Sequence, residues 1–173
     1  SEMCIRDRIE AEGGLAYGFA SDARKEDQVI ALVEEIEANI GEIDVLVFNI
    51  GANVPCSILE ETARKYFKIW EMACFGAFLT GREVAKRMVV REHGSIIFTG
   101  ATAGIRGAAN FAAFAGAKHA LRALAQSMAR ELGPKNIHVA HVVVDGAIDT
   151  DFIKDTFPEM YARKEQDLSL IHI

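Results

Sequence analysis

Residues 43–49 read IDVLVFN, and beside them 95–100 read SIIFTG and 137–144 read IHVAHVVV. Each reads as a short strand; the first, nearly continuous in apolar residues, has the pattern of one buried on both faces of a parallel sheet, and the second reads as another buried strand. Between the runs the period changes to that of a helix. Residues 25–40 put Val29, Leu32, Val33, Ile36 and Ile40 on one face, with Gly41 as the stop. A long helix is predicted over roughly 61–91, with Phe67, Trp70, Cys74, Phe78 and Leu79 inward. Another covers 111–132 and ends at Gly133–Pro134. Upstream, LAYGFA (15–20), entered through Gly13–Gly14, reads as one more short strand.

Strand and helix alternating with short connections imply right-handed βαβ units. The expected fold is an α/β doubly wound parallel sheet with helices on both faces. Ligands on such sheets sit beyond the carboxyl ends of the strands. That rule directs attention to Asp22, Asn49–Gly51, Gly100–Thr102 and Asp145–Thr150.

The helix at 111–132 carries an anomaly. Phe111, Phe114, Leu121, Ala125, Met128 and Leu132 recur at spacings of three, four and seven, forming one apolar stripe, and Lys118 lies on it. A charge on a face built for burial is costly unless something pairs with it. Lys118 is either a snorkelling lysine that reaches solvent past the helix or a functional group facing a crevice.

Composition narrows the partners. The chain has 173 residues, half hydrophobic and a quarter charged, with net charge −6 and no basic run. This argues for one soluble domain and against nucleic acid or an anionic membrane as partner. No stretch is long and apolar enough to span a bilayer. Cys4, Cys56 and Cys74 are scattered, so reduced thiols in a cytoplasmic protein are expected, and no metal-ligating spacing occurs. The opening SEMCIRDR and closing LSLIHI resemble translated sequencing-adaptor read-through. We therefore expect residues 1–8 and 168–173 to be non-native ends around a partial domain at 9–167.

At the strand ends the sequence resembles the short-chain dehydrogenase/reductase family, the Rossmann-type NAD(P)-dependent oxidoreductases. DVLVFNIGA (44–52) is similar to that family's D-x-L-V-N-N-A-G segment, and GSIIFTGATAG (94–104) to G-x-I-x-x-x-S-S-x-x-G. FAGAKHAL (114–121) is similar to Y-x-x-x-K-x-A-L and DGAIDT (145–150) to P-G-x-I-x-T. The resemblance covers about residues 9–167. The family's first βαβ unit, with its TGxxxGxG phosphate loop, has no counterpart in this chain, which we read as truncation.

The resemblance implies NAD or NADP as cofactor and a small carbonyl or alcohol as substrate. It implies cofactor contacts from Asn49, Gly51, Lys118, Gly146, Ile148 and Thr150, and an adenine contact from Asp22. A helix-capping role for Asp22 stands beside that, as does one for Thr150, and a plain strand-ending turn for Asn49–Gly51. It further implies a homodimer or homotetramer built through the two long helices.

The family's catalytic Asn, Ser and Tyr fall on Ala73, Ala101 and Phe114; only the Lys survives, as Lys118. In the family the Tyr hydroxyl is the acid or base, and the neighbouring Lys lowers its pKa and binds the nicotinamide ribose. Phenylalanine carries no proton and alanine neither donates nor accepts through its side chain. Loss of a positioned acid forfeits about 10²- to 10⁴-fold in rate. The chain resembles an atypical group of the family with Phe at this position. Thr102 is a weak substitute for the lost serine hydroxyl, with Thr99, Asn110 and His119 nearby in sequence. His119 is expected to point off the lysine face, because successive helical residues diverge by about 100°. Asp145, where the family has Pro, has no account.

Overall fold

The computed structural model describes residues 2–144, 147–148, 155 and 170–171. The elements run α1 (Glu2–Ala11), α2 (Glu26–Asn39), β1 (Val45–Phe48), α3 (Ala63–Trp70), α4 (Gly76–Arg91), β2 (Ser95–Ala101), α5 (Ala112–Leu132) and β3 (His138–Val144). Two short pieces, β4 (Ala147–Ile148) and β5 (Leu170–Ile171), pair parallel to each other. The main sheet has the order β1-β2-β3, all parallel, with Leu46 opposite Ile96 and Ile96 opposite Val139. The predicted parallel sheet and its flanking helices are what form.

Two helix boundaries have a clear local cause. Thr62 caps α3 by accepting from the Lys65 N–H at 3.2 Å. α4 ends at Glu92, whose left-handed φ of 58° breaks the hydrogen-bond ladder. The single helix predicted over 61–91 is interrupted by a π-turn at Glu71–Phe75, where the Gly76 N–H reaches back to the Glu71 carbonyl. Such one-turn bulges concentrate at functional sites, and this one contains Ala73.

The core lies between the sheet and α2, α4 and α5. Phe48, Ile96, Phe98 and Val139 of the sheet meet Ala77, Val84 and Met88 of α4, and Leu121 and Ala125 of α5. Ile96, Phe98, Met88 and Leu121 are wholly buried, each worth about 1.5–3 kcal/mol of transfer free energy. The stripe predicted on α5 is the face that packs here, with Leu121, Ala125 and Leu132 buried and Met128 against the cluster.

Several sequence expectations fail. Phe67 and Phe78, expected inward on the long helix, are 58 % and 36 % exposed. Residues 15–20 form no strand, and Leu15, Tyr17 and Phe19 are exposed. A strand is stable only when its N–H and C=O groups find a neighbour, and among the described residues none lies beside this segment. β1 is not buried on both faces either. Phe48 faces the helices, but Val45 and Val47 are 55 % and 57 % exposed. Nothing among the described residues covers that side of β1.

Candidate functional site

The site is built at the carboxyl ends of β1 and β2, where α5 crosses them. Lys118 comes from the second turn of α5 and is only 6 % exposed. Its ammonium donates to the Thr99 carbonyl of β2 at 2.7 Å. A Cβ placed on Gly51 would lie 3.5 Å from Nζ, so the ammonium sits directly against the turn that follows β1. The Phe114 ring, one turn back on α5, has its centroid 5.9 Å from Nζ. The snorkelling reading is therefore wrong for this lysine, which points inward and is held by a strand carbonyl. Burial lowers its pKa from the ordinary lysine value. Among the described residues no carboxylate forms an ion pair with it.

Close backbone contact fixes this placement. Ala101 ends β2 and leads into a 3₁₀ turn at Thr102–Gly104. A Cβ on Gly104 would lie 3.1 Å from the Lys118 carbonyl, so the turn rests on α5 at the lysine itself. Thr102 opens that turn, its carbonyl accepting from the Ile105 and Arg106 N–H groups at 2.9 and 3.1 Å. Ala73 is completely buried and packs with Ile69, Ala113 and Ala117, which brings the π-turn against the start of α5. Phe114 thus lies beside Lys118 on the same helix, Ala73 packs against the start of that helix, and Ala101 ends the strand whose Thr99 carbonyl holds the lysine. None of the three offers a proton.

The other sequence candidates fall as follows. Asn49 and Gly51 are exposed at the end of β1. His119 is exposed as expected, its Nδ1 2.8 Å from the Ala115 carbonyl. Asn110 adopts a left-handed φ of 67° and its carbonyl accepts from the Cys56 N–H. Ile148 pairs with Ile171 through the short β4–β5 ladder. Gly146, Thr150 and Asp145 lie outside the described residues.

Asp22 does not cap α2, whose N-cap is Lys25 without a side-chain bond. Its Oδ1 accepts from the Arg24 N–H at 3.0 Å and from Arg24 Nε at 2.8 Å, and its Oδ2 from Arg24 Nη2 at 2.7 Å. This fork holds the Asp22 carboxyl at about 2. Asp22 and Arg24 line a cavity of about 380 Å³ together with Ser21, Ile50, Lys68 and Met72. Ile50 sits between Asn49 and Gly51, so the cavity adjoins the Lys118 site along the end of β1.

Sequence reasoning missed three participants. Arg24 was legible as a basic residue two positions after Asp22, the spacing of a local Asx turn. The Thr99 carbonyl is a backbone group, without a side-chain signal. His141 of β3 lies over Gly100, where a Cβ would come within 2.3 Å of its Nε2. That nitrogen is buried without a hydrogen-bond partner. Burial, with Arg122 and Lys118 nearby, lowers the imidazole pKa.

Among the described residues, no helix is long and apolar enough to cross a membrane, and no cluster of His, Cys, Asp or Glu is placed to hold a metal ion. The chain is 32 % identical over 162 residues to a 2-dehydro-3-deoxy-D-gluconate 5-dehydrogenase of Formosa agariphila, covering 86 % of this chain and 61 % of that protein. It superposes on the crystal structure of a short-chain dehydrogenase from Rhodopseudomonas palustris with a TM-score of 0.78 and 44 % identity, covering 99 % of this chain and 80 % of that one. A gluconate 5-dehydrogenase from Burkholderia cenocepacia, solved with NADP and tartrate, gives a TM-score of 0.81 at 25 % identity, covering 88 % of this chain and 59 % of that one. The chain spans about three fifths of the length of the curated relatives it matches. Residues 3–160 match the profile of the short chain dehydrogenase family, and the chain belongs to that family.

Proposed function

We propose that this chain is the greater part of a cytoplasmic NAD(P)-dependent oxidoreductase acting on a small carbonyl or alcohol, with the usual Asn, Ser and Tyr replaced and only the lysine kept. The observation that carries the reading is Lys118: a buried ammonium, anchored on Thr99 and facing Gly51 at the strand ends. An ammonium has three donors, and the Thr99 carbonyl takes one. Two donors remain for the ribose hydroxyls of a dinucleotide laid across the end of β1. The exposed Asn49–Gly51 backbone and the adjoining cavity fit the rest of such a ligand. Gly146, Ile148 and Thr150, with Asp22 at the adenine end, complete the proposed cofactor contacts.

A bound nicotinamide would supply hydride to a carbonyl carbon, or accept it from an alcohol. This chain's side chains bind and orient; they do not obviously move the accompanying proton. Phe114 and Ala101 give an apolar wall where the family has two hydroxyls. Ala73 leaves the π-turn without its amide. The proton then comes from water, from the substrate or from a side chain outside the family pattern, Thr102 being one candidate.

The same three substitutions favour a second reading, a non-catalytic NAD(P)-binding or regulatory subunit. Both readings include self-association as a homodimer or homotetramer through α4 and α5. Between those helices lies a groove of about 570 Å³, lined by Phe78, Ala85, Val89, Leu124 and Met128 and edged by Arg82 and Glu131. The test uses the full-length gene product that carries this chain. NADH and NADPH are titrated by fluorescence, and carbonyl and alcohol substrates are then screened at the nicotinamide band. Binding with turnover supports the oxidoreductase. Binding without turnover supports the second reading, and failure to bind either dinucleotide refutes both.

A further inference from the structure

The fork between Arg24 and Asp22 is more than a surface ion pair. Arg24 bonds both oxygens of one carboxylate and reaches 3.7 Å from Glu71 of the π-turn. It therefore ties the 21–24 loop to the π-turn, whose Met72 lines the cavity that adjoins the Lys118 site. A carboxylate has about four acceptor positions, and here two on Oδ1 and one on Oδ2 are filled by a single residue. Its negative charge is matched by the guanidinium in the favourable bidentate geometry. What faces the cavity is a nearly saturated, neutralised acceptor in place of a free one.

Resting on the proposed dinucleotide site, we infer that Arg24 is a latch on the adenosine end: it withholds the Asp22 carboxylate from an amino-bearing heterocycle in the cavity and weakens that half of the ligand's binding. The geometry supports this order of events. A dinucleotide whose ribose meets Lys118 at Gly51 runs past Ile50 into the cavity lined by Asp22. To donate to Oδ1, the heterocycle must first displace an Arg24 bond. To use the remaining position on Oδ2, it must donate to a carboxylate already paired. Either route costs affinity that an unforked aspartate would supply. Opening the fork, by substitution or by a competing anion on Arg24, tightens binding.

The test measures binding and is independent of turnover, with the full-length gene product and two probes. NADH spans both ends of the site; reduced nicotinamide mononucleotide has no adenosine. Arg24→Ala is expected to tighten NADH about tenfold, one charge-assisted hydrogen bond being gained, and to leave the mononucleotide unchanged. Adding Asp22→Asn to Arg24→Ala is expected to cancel the gain. Arg24→Lys, which keeps the charge but loses the planar fork, is expected to fall between wild type and Arg24→Ala. Unchanged or weaker NADH binding by Arg24→Ala overturns the latch. Equal changes for both probes overturn it too, since they report a general effect on the fold. A wild-type protein that binds neither probe refutes the dinucleotide site itself, and the latch with it.

Discussion

Phe114→Tyr puts a phenol where the geometry leaves only an apolar ring, and its titration measures the field of Lys118 directly. With the ring centroid as the site of charge, the pair is separated by 5.9 Å. At an effective dielectric of about 20, two unit charges at that distance attract by about 2.8 kcal/mol. That energy lowers the phenol pKa by ~2 units relative to the same phenol without the ammonium. Burial acts in the opposite direction, so the informative quantity is a difference. Phe114→Tyr is compared with Phe114→Tyr/Lys118→Met, following phenolate absorbance after subtracting the protein's own tyrosines. The single variant should titrate ~2 units below the double variant. Because the ammonium and phenol titrate as a pair, the shift belongs to the pair. A gap below about half a unit would show that Lys118 does not face position 114, and the reasoning would fail.

Other outcomes follow from the same structure. Lys118 has its pKa lowered by burial, so the unfolded chain binds more protons than the native one between that lowered value and the ordinary one. Stability should rise with pH across that window and be lost again as pH falls through the folded pKa; urea midpoints of wild type should show this slope and those of Lys118→Met should not. The Asp22 carboxyl, held at about 2 by Arg24, should keep its ionised resonance until pH falls to that region and return towards the usual aspartate range in Arg24→Ala, read by NMR titration. Any stability it contributes is present above the ordinary aspartate pKa and lost as pH falls through about 2. Gly100→Ala would place a methyl within 2.2 Å of His141 Cε1 and 2.9 Å of the Val142 carbonyl, so it should destabilise the chain by about 1–3 kcal/mol in chemical denaturation. Equal stability would mean that His141 moves aside freely.

The parts of the fold legible in the sequence are those whose signal is local. The α5 stripe, the three sheet strands and the stop after Leu132 depend on period and on Gly or Pro, and each forms where the sequence places it. LAYGFA failed because apolar content cannot report whether a strand has a neighbour. Val45 and Val47 failed for a related reason, as a run of valines does not say what covers its second face. The π-turn at Glu71–Phe75 was invisible, being a change in hydrogen-bond partner without a marking residue. In the site, Lys118 stood out because a charge interrupted an apolar stripe. Its partners did not, since one is a backbone carbonyl and another is the absent side chain of Gly51. The Arg24 fork needed coordinates, because loop residues two apart either converge or diverge according to backbone turn alone.

The central claim is that the scaffold keeps its dinucleotide site while the residues that move the proton are gone. The direct measurement is the steady-state rate of nicotinamide oxidation with a panel of small carbonyls, comparing the wild-type full-length gene product with Ala101→Ser/Phe114→Tyr. The account predicts activity in the double variant on at least one carbonyl, exceeding wild type by about 10²-fold or more, the worth of a positioned acid. A wild-type rate equal to or above that of the double variant on every carbonyl would contradict it.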